Sequence, residues 1–227
     1  FKGRGQFDSV EGKTNTSGIL WRENTVKWLG LALSAMIPPD DAVIAHGLSC
    51  KIKFVRIVRR KLNGHNRFYA QLICDGQPYQ KAKNALGRGV VGLDIGPSTI
   101  AVVLDESATL ERFCDELQPR QRDIRQLQRK LDRQRRAGNP QNYTANGTAK
   151  LGARQWHFSR RAVYTRDQLA ELHRQQAAHR KSLHGALVNR VLAQGDTIKL
   201  EKLSYRAFQR RFGRSVGFRG PGLFVNH

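Results

Sequence analysis

A mixed α/β architecture is what this sequence predicts, and three observations carry it. Val90-Val91-Gly92-Leu93-Asp94-Ile95 is an apolar run of strand length, closed by Gly96 and followed by a second apolar run from Thr99 to Leu104. Beyond about residue 115 the apolar spacing lengthens to the three-and-four pattern of helices. Asp196 to Leu200 then returns to strand-like residues. The expected organisation is a β-rich, barrel-like segment over residues 1–85, then residues 86–227 as a partial sheet carrying a helical insertion over about 115–192.

In the first segment, Ile19-Leu20-Trp21, Thr25 to Leu29 and Gly30 to Leu33 are short strand candidates, and Pro38-Pro39-Asp40-Asp41 breaks the pattern. Cys50 to Arg60 and Arg67 to Asp75 form the clearest pair. Between them Asn63-Gly64 supplies the positive φ angles that a tight hairpin requires. Lys51, Lys53, Val55 and Ile57 alternate with Ile52, Phe54, Arg56 and Val58, so each face of that strand is only partly apolar. Such a strand suits a small barrel with one basic wall, whether solvated or laid against a polyanion. A turn-rich basic connector, Gln77 to Arg88, leads to the Asp94 strand.

After that strand and its partner, Ile124, Leu127 and Leu131 recur among Arg120, Arg122, Arg125, Arg129, Lys130, Arg133, Arg135 and Arg136, which describes an amphipathic helix with a basic outer surface. Gly138-Asn139-Pro140 stops it, and the stretch to Lys150 is polar and loop-like. A longer helix is expected within Trp156–Leu192, with Leu169, Leu172, Leu183, Leu187 and Val191 as its stripe and Ala177, Ala178 and Ala186 allowing close packing. In the tail, Tyr205, Phe208 and Phe212 are interleaved with Arg206, Arg210 and Arg211. That pattern fits base stacking and a core-facing helix stripe equally.

The 227 residues suffice for one large or two modest domains with a substantial core. Forty Lys and Arg against 18 Asp and Glu give a net charge of +22, which attracts polyanions in a salt-dependent way and makes nucleic acid the leading partner. No amphipathic segment joins an aromatic face to lysines, and no run approaches a transmembrane span, so a membrane is not an expected partner. Cys50, Cys74 and Cys114 are too dispersed for a disulfide framework or a zinc ribbon and are expected to be reduced, buried thiols. His173, His179 and His184 lie six and five apart, which does not converge as a zinc pair would, and solvated or RNA-facing roles are expected for them. The start at Phe1 and the stop at His227 read as an excerpt of a longer cytoplasmic protein.

The acids that could carry chemistry are Asp94 and Glu201, each at the end of an apolar strand. Metal-assisted phosphodiester cleavage needs several carboxylates fixed on rigid strand or helix ends. The two acids meet only if their strands are neighbours, as the first and fourth strands are in a ribonuclease H-like sheet. Asp105 and Asp196 sit more naturally in turns. Arg125, Arg129, Arg133, Arg136, Arg210 and Arg211 are the candidate nucleic-acid contacts, against the plainer reading of solvated charged faces.

Gly92-Leu93-Asp94-Ile95-Gly96, the Arg-rich helical hairpin and Leu200-Glu201-Lys202-Leu203 together resemble the first and second RuvC motifs of the TnpB-type RNA-guided nucleases of bacterial transposons, relatives of the type V CRISPR effectors. Arg67-Phe68-Tyr69-Ala70-Gln71-Leu72 is similar to the last strands of that family's wedge domain, so the resemblance runs roughly from Trp21 to Val225. It implies an RNA-guided DNA endonuclease with guide RNA and target DNA as partners, no small-molecule substrate, and Mg²⁺ (or Mn²⁺) held by Asp94 and Glu201. The family continues into a four-cysteine zinc ribbon and a third acidic motif, neither of which is in this sequence. An RNA-guided DNA binder that does not cleave is therefore the second reading. An actin-like ATPase or sugar kinase, whose first phosphate loop also reads Asp-x-Gly, is a remote third.

Overall fold

The structure, a computed structural model, describes residues 7–152 and 155–226; Phe1 and His227 lie outside the described residues. It is mixed α/β, and the chain divides into two compact units between Gln80 and Lys81.

The first unit contains β1 (Ser9–Glu11), β2 (Leu20–Arg22), β3 (Thr25–Trp28), β4 (Leu31–Ser34), α1 (Ala42–Ser49), β5 (Lys51–Leu62) and β6 (His65–Asp75). Asn63 and Gly64, at φ 49° and 81°, turn β5 into β6 through the left-handed pair that matches strand twist. Arg59 reaches Asp8 at 3.0 Å, and Arg56 pairs with Glu11, which ties β1 to β5. Ile19, Trp21, Val26 and Val55 form the core of the unit.

The barrel-like closure expected from the sequence is corrected: the strands form two open three-stranded sheets, β1-β5-β6 and β2-β3-β4, in which β4 and β6 are both edges. The chain leaves β4 through Pro38 and Pro39, and Asp41 then starts a helix by accepting the amides of Val43 and Ile44 at 2.9 and 3.0 Å. A helix therefore stands where a barrel would need a further strand. Beside it lies a groove of about 1130 Å³, lined by Leu33, Met36, His46, Phe68, Tyr69 and Tyr79 among others.

The second unit carries β7 (Val90–Ile95), β8 (Thr99–Val103), β9 (Ala108–Arg112), α2 (Gln121–Gly138), α3 (Arg160–Leu192), β10 (Thr197–Leu200), α4 (Tyr205–Arg219) and α5 (Pro221–Phe224). Its sheet runs β10-β7-β8-β9, with β7 to β9 an antiparallel meander and β10 parallel to β7. Val91, Leu93, Ile95, Ile100 and Val102 are buried on one face beneath Leu187 and Val191 of α3, Phe113, Leu117 and Phe224. Each such aliphatic side chain contributes about 1.5–3 kcal/mol by leaving water.

Three expectations are corrected in this unit. The helical insertion begins at Gln121 rather than near residue 115: β9 precedes it, and Phe113, Cys114 and Leu117 turn inward to plug the core. Leu110 in β9 is 73% exposed, so that strand carries no apolar alternation by which to recognise it. Ala177, Ala178 and Ala186 lie exposed on α3 and do not mediate close packing. His184 is not solvated: it is 1% exposed, with Nε2 2.9 Å from the Arg219 carbonyl and its ring against Phe113 and Phe224.

The connector between α2 and α3 is polar, and a buried side chain hydrogen-bonds its described residues together. Asn139, fully buried, donates through Nδ2 to the carbonyls of Arg135 and His157 and accepts the His157 amide at 2.6 Å. Its side chain thus performs the strand-like pairing that the loop backbone lacks. Arg135 lies 3.8 Å above the Trp156 ring, which adds a cation–π contact to the same junction. Among the described residues no helix is long and apolar enough to cross a membrane.

Candidate functional site

The parallel register between β10 and β7 pairs Thr197 with Val90, Ile198 with Val91, Lys199 with Gly92 and Leu200 with Leu93. Glu201 is the next residue after the last paired one, so continuing the register by one step sets it beside Asp94, on neighbouring strands whose spacing is about 4.8 Å. Val91, Leu93 and Ile95 face the core. By alternation Gly92 and Asp94 face the other side, and both Asp94 and Glu201 are exposed. Lys199, also exposed, lies one row behind them, opposite Gly92.

What fixes this register is a close backbone approach at the entrance to β10. The amides of Asp196 and Thr197 both reach the Gly89 carbonyl at 3.1 Å, and the Gly87 amide reaches the Leu192 carbonyl at 2.8 Å. A Cβ on Gly195 would lie 2.6 Å from the Gly89 oxygen and 2.8 Å from Val91 Cγ2, so only glycine fits there. The end of α3 is thereby locked to the start of β7, and the two acids inherit their alignment from that lock.

The glycines flanking Asp94 act differently. Neither has a positive φ. A Cβ on Gly92 would make only an ordinary contact with Val103 at 3.6 Å, whereas one on Gly96 would crowd Thr99 Oγ1 at 3.0 Å and the Thr99 carbonyl at 3.2 Å. Gly96 donates its amide to that carbonyl at 2.8 Å, closing the two-residue Pro97-Ser98 turn into β8.

Among the described residues no group of three or more His, Cys, Asp and Glu is arranged to hold a metal ion. Asp94 and Glu201 are two exposed carboxylates at the ends of paired strands. That fits Mg²⁺, which is commonly held by one or two carboxylates while water and phosphate oxygens fill its remaining positions. Asp105 and Asp196 lie exposed in bends outside the strands, and Asp196 accepts the Thr197 hydroxyl at 3.2 Å.

Of the candidate nucleic-acid contacts, Arg125, Arg129 and Arg133 are exposed along α2 and make no ion pair among the described residues. Arg136 is engaged inside the protein: it pairs with Asp132 at 2.8 Å, donates to the Gly147 carbonyl at 2.8 Å and lies over Tyr143. Arg210 and Arg211 are exposed on α4, which starts four residues after Glu201. Tyr205 and Phe208 are half-buried, and burial pushes the Tyr205 hydroxyl pKa up, while Phe212 sits exposed at a kink with φ −124° and ψ 33°. The core-stripe pattern therefore holds at the first two aromatics and ends at the third.

Sequence reasoning missed Lys199 and the structural part played by Asn139. The Gly-Asn-Pro stop signal did mark Asn139, but only as punctuation. All three cysteines are free thiols, and burial pushes the Cys114 thiol pKa up to about 11. No protein-family model matches the sequence, and no curated protein does.

Proposed function

We propose that the second unit is the strand-and-hairpin portion of a ribonuclease H-like, RuvC-type nuclease domain, and that the protein acts as an RNA-guided DNA endonuclease of the TnpB kind. The observation that carries this reading is the β10–β7 register, which brings Glu201 beside Asp94 on the uncovered face of a sheet ordered β10-β7-β8-β9. A meander of three strands joined by a fourth parallel to the first is the order that the RuvC reading requires. The basic hairpin of α2 and α3 and the overall charge of +22 supply the attraction to guide RNA and DNA.

In this reading Asp94 and Glu201 hold Mg²⁺, which when bound lowers the pKa of water and offsets charge on the leaving oxygen of a phosphodiester. Two anionic side chains repel a phosphate by themselves. Lys199 beside them offsets part of that repulsion, and the exposed arginines of α4 add to the overall positive field that attracts the backbone. Arg125, Arg129 and Arg133 grip phosphates of the nucleic acid along α2.

The test is cleavage of DNA by the protein purified with the RNA that it binds in cells. Mg²⁺-dependent nicking that disappears in Asp94→Ala supports the proposal; equal behaviour of the two proteins overturns it. A second reading is RNA-guided binding without cleavage, since metal-assisted cleavage calls for several carboxylates and Asp94 and Glu201 are two. It predicts RNA-dependent DNA retention, unchanged in Asp94→Ala, with no nicking in either protein.

A further inference from the structure

The turn after Asp94 is held from outside the sheet. Ser215, in the C-terminal half of α4, donates its hydroxyl to the Pro97 carbonyl at 2.7 Å. Pro97 is the first residue of the two-residue turn that closes β7 onto β8, and the other turn residue, Ser98, accepts the Phe113 amide at 2.8 Å. Both carbonyls of the turn are therefore tied to elements other than the strands that it joins.

Ser215 is itself fixed. Arg219 Nη1 donates to its oxygen at 3.2 Å. The last turn of α4 is then gripped by α3: Arg180 Nη1 donates to the carbonyls of Gly217 and Phe218, each at 3.1 Å, and His184 Nε2 lies 2.9 Å from that of Arg219. Gly220, in the left-handed conformation at φ 66°, ends the helix there. A continuous chain of contacts thus runs from the long helix of the hairpin, through the end of α4, to the turn three residues beyond Asp94. The kink at Phe212 separates this clamped half of α4 from the half that carries Arg206, Arg210 and Arg211.

We infer that Ser215 is a positioning residue for the metal site: its hydrogen bond to Pro97 fixes the end of β7 and so holds the Asp94 carboxylate in line with Glu201. This rests on the reading of Asp94 and Glu201 as metal ligands. The hydroxyl touches neither carboxylate, and its action is through the backbone of the turn. Removing it leaves the core packing intact, because Ser215 contributes no apolar surface to the cluster beneath the sheet.

The test uses Mn²⁺ as the probe and its electron paramagnetic resonance signal as the readout on the full 227-residue chain. Wild-type protein should show a Mn²⁺ site that Asp94→Asn removes. Ser215→Ala should weaken that site about three- to tenfold, the range set by loss of one neutral hydrogen bond. Its melting temperature should fall by no more than about 2–4 °C, and Ser215→Thr, which keeps the hydroxyl, should restore affinity. If Ser215→Ala does not fold, Ser215→Cys, which fills the same space with a weak donor, is measured with the same expected loss. Wild-type Mn²⁺ affinity in the hydroxyl-deleted variant, with the Asp94→Asn loss intact, overturns the positioning role and leaves the metal-site reading standing. No Mn²⁺ site sensitive to Asp94→Asn overturns both.

Discussion

Gly96 and Cys114 show how much single positions constrain this sheet. A methyl group at Gly96 would press on the Thr99 side chain and carbonyl, so Gly96→Ala should cost about 1–3 kcal/mol in chemical denaturation, whereas Gly92→Ala, with only an ordinary contact, should be close to neutral. Cys114 gives a pH signature. Its thiol is held near a pKa of about 11 by burial, against 9.0 for an unperturbed thiol, so the unfolded chain releases that proton first. The stabilisation is complete below pH 9.0 and declines as pH rises from there towards about 11. Urea midpoints of wild type and Cys114→Ser, compared at pH 8 and about 10.5, should show a steeper alkaline loss in the wild type. The burial that causes this agrees at Cys114 with the expectation of reduced, buried thiols, whereas Cys50 and Cys74 are only partly buried.

At the scale of elements, the lock between Gly195 and Gly89 determines where β10 sits. Gly195→Ala forces a Cβ to within 2.6 Å of the Gly89 carbonyl, so the strand must move, and Glu201 with it. That substitution should lower stability by about 1–3 kcal/mol and also abolish divalent-ion binding, while Asp94→Asn should abolish binding with no loss of stability. Calorimetry run with and without Mn²⁺ separates the two. The apolar runs made β7, β8 and β10 legible in the sequence, and Asn63-Gly64 made the β5–β6 hairpin legible, because in each the local chemistry matches the final structure. β9 was not legible, since Leu110 faces solvent and the strand is held by β8 rather than by its own alternation. α1 carried a usable sign, the Asp41 cap, that the neighbouring prolines obscured. His184 looked like any surface histidine because its partners, Phe113, Phe224 and the Arg219 carbonyl, are distant in sequence.

For the molecule as a whole, the proposed nucleic-acid binding predicts, at a charge of +22, an affinity that depends on salt, with the exposed arginines of α2 making that dependence divisible. Each of Arg125→Ala, Arg129→Ala and Arg133→Ala should reduce the slope of log affinity against log salt by about 1 in a filter-binding titration. Arg136→Ala should instead reduce stability, because Asp132 and the Gly147 carbonyl lose their partner. Composition pointed to a polyanion as the partner to test but was silent on the neighbouring placement of β10 and β7, which depends on a crossover through the whole helical hairpin. The central claim is that Asp94 and Glu201 act together on one divalent ion. A Mn²⁺ titration followed by electron paramagnetic resonance, on wild type, Asp94→Asn and Glu201→Gln, tests it most directly. One site that either substitution removes is the predicted result; no bound Mn²⁺, or a site indifferent to both substitutions, would contradict it.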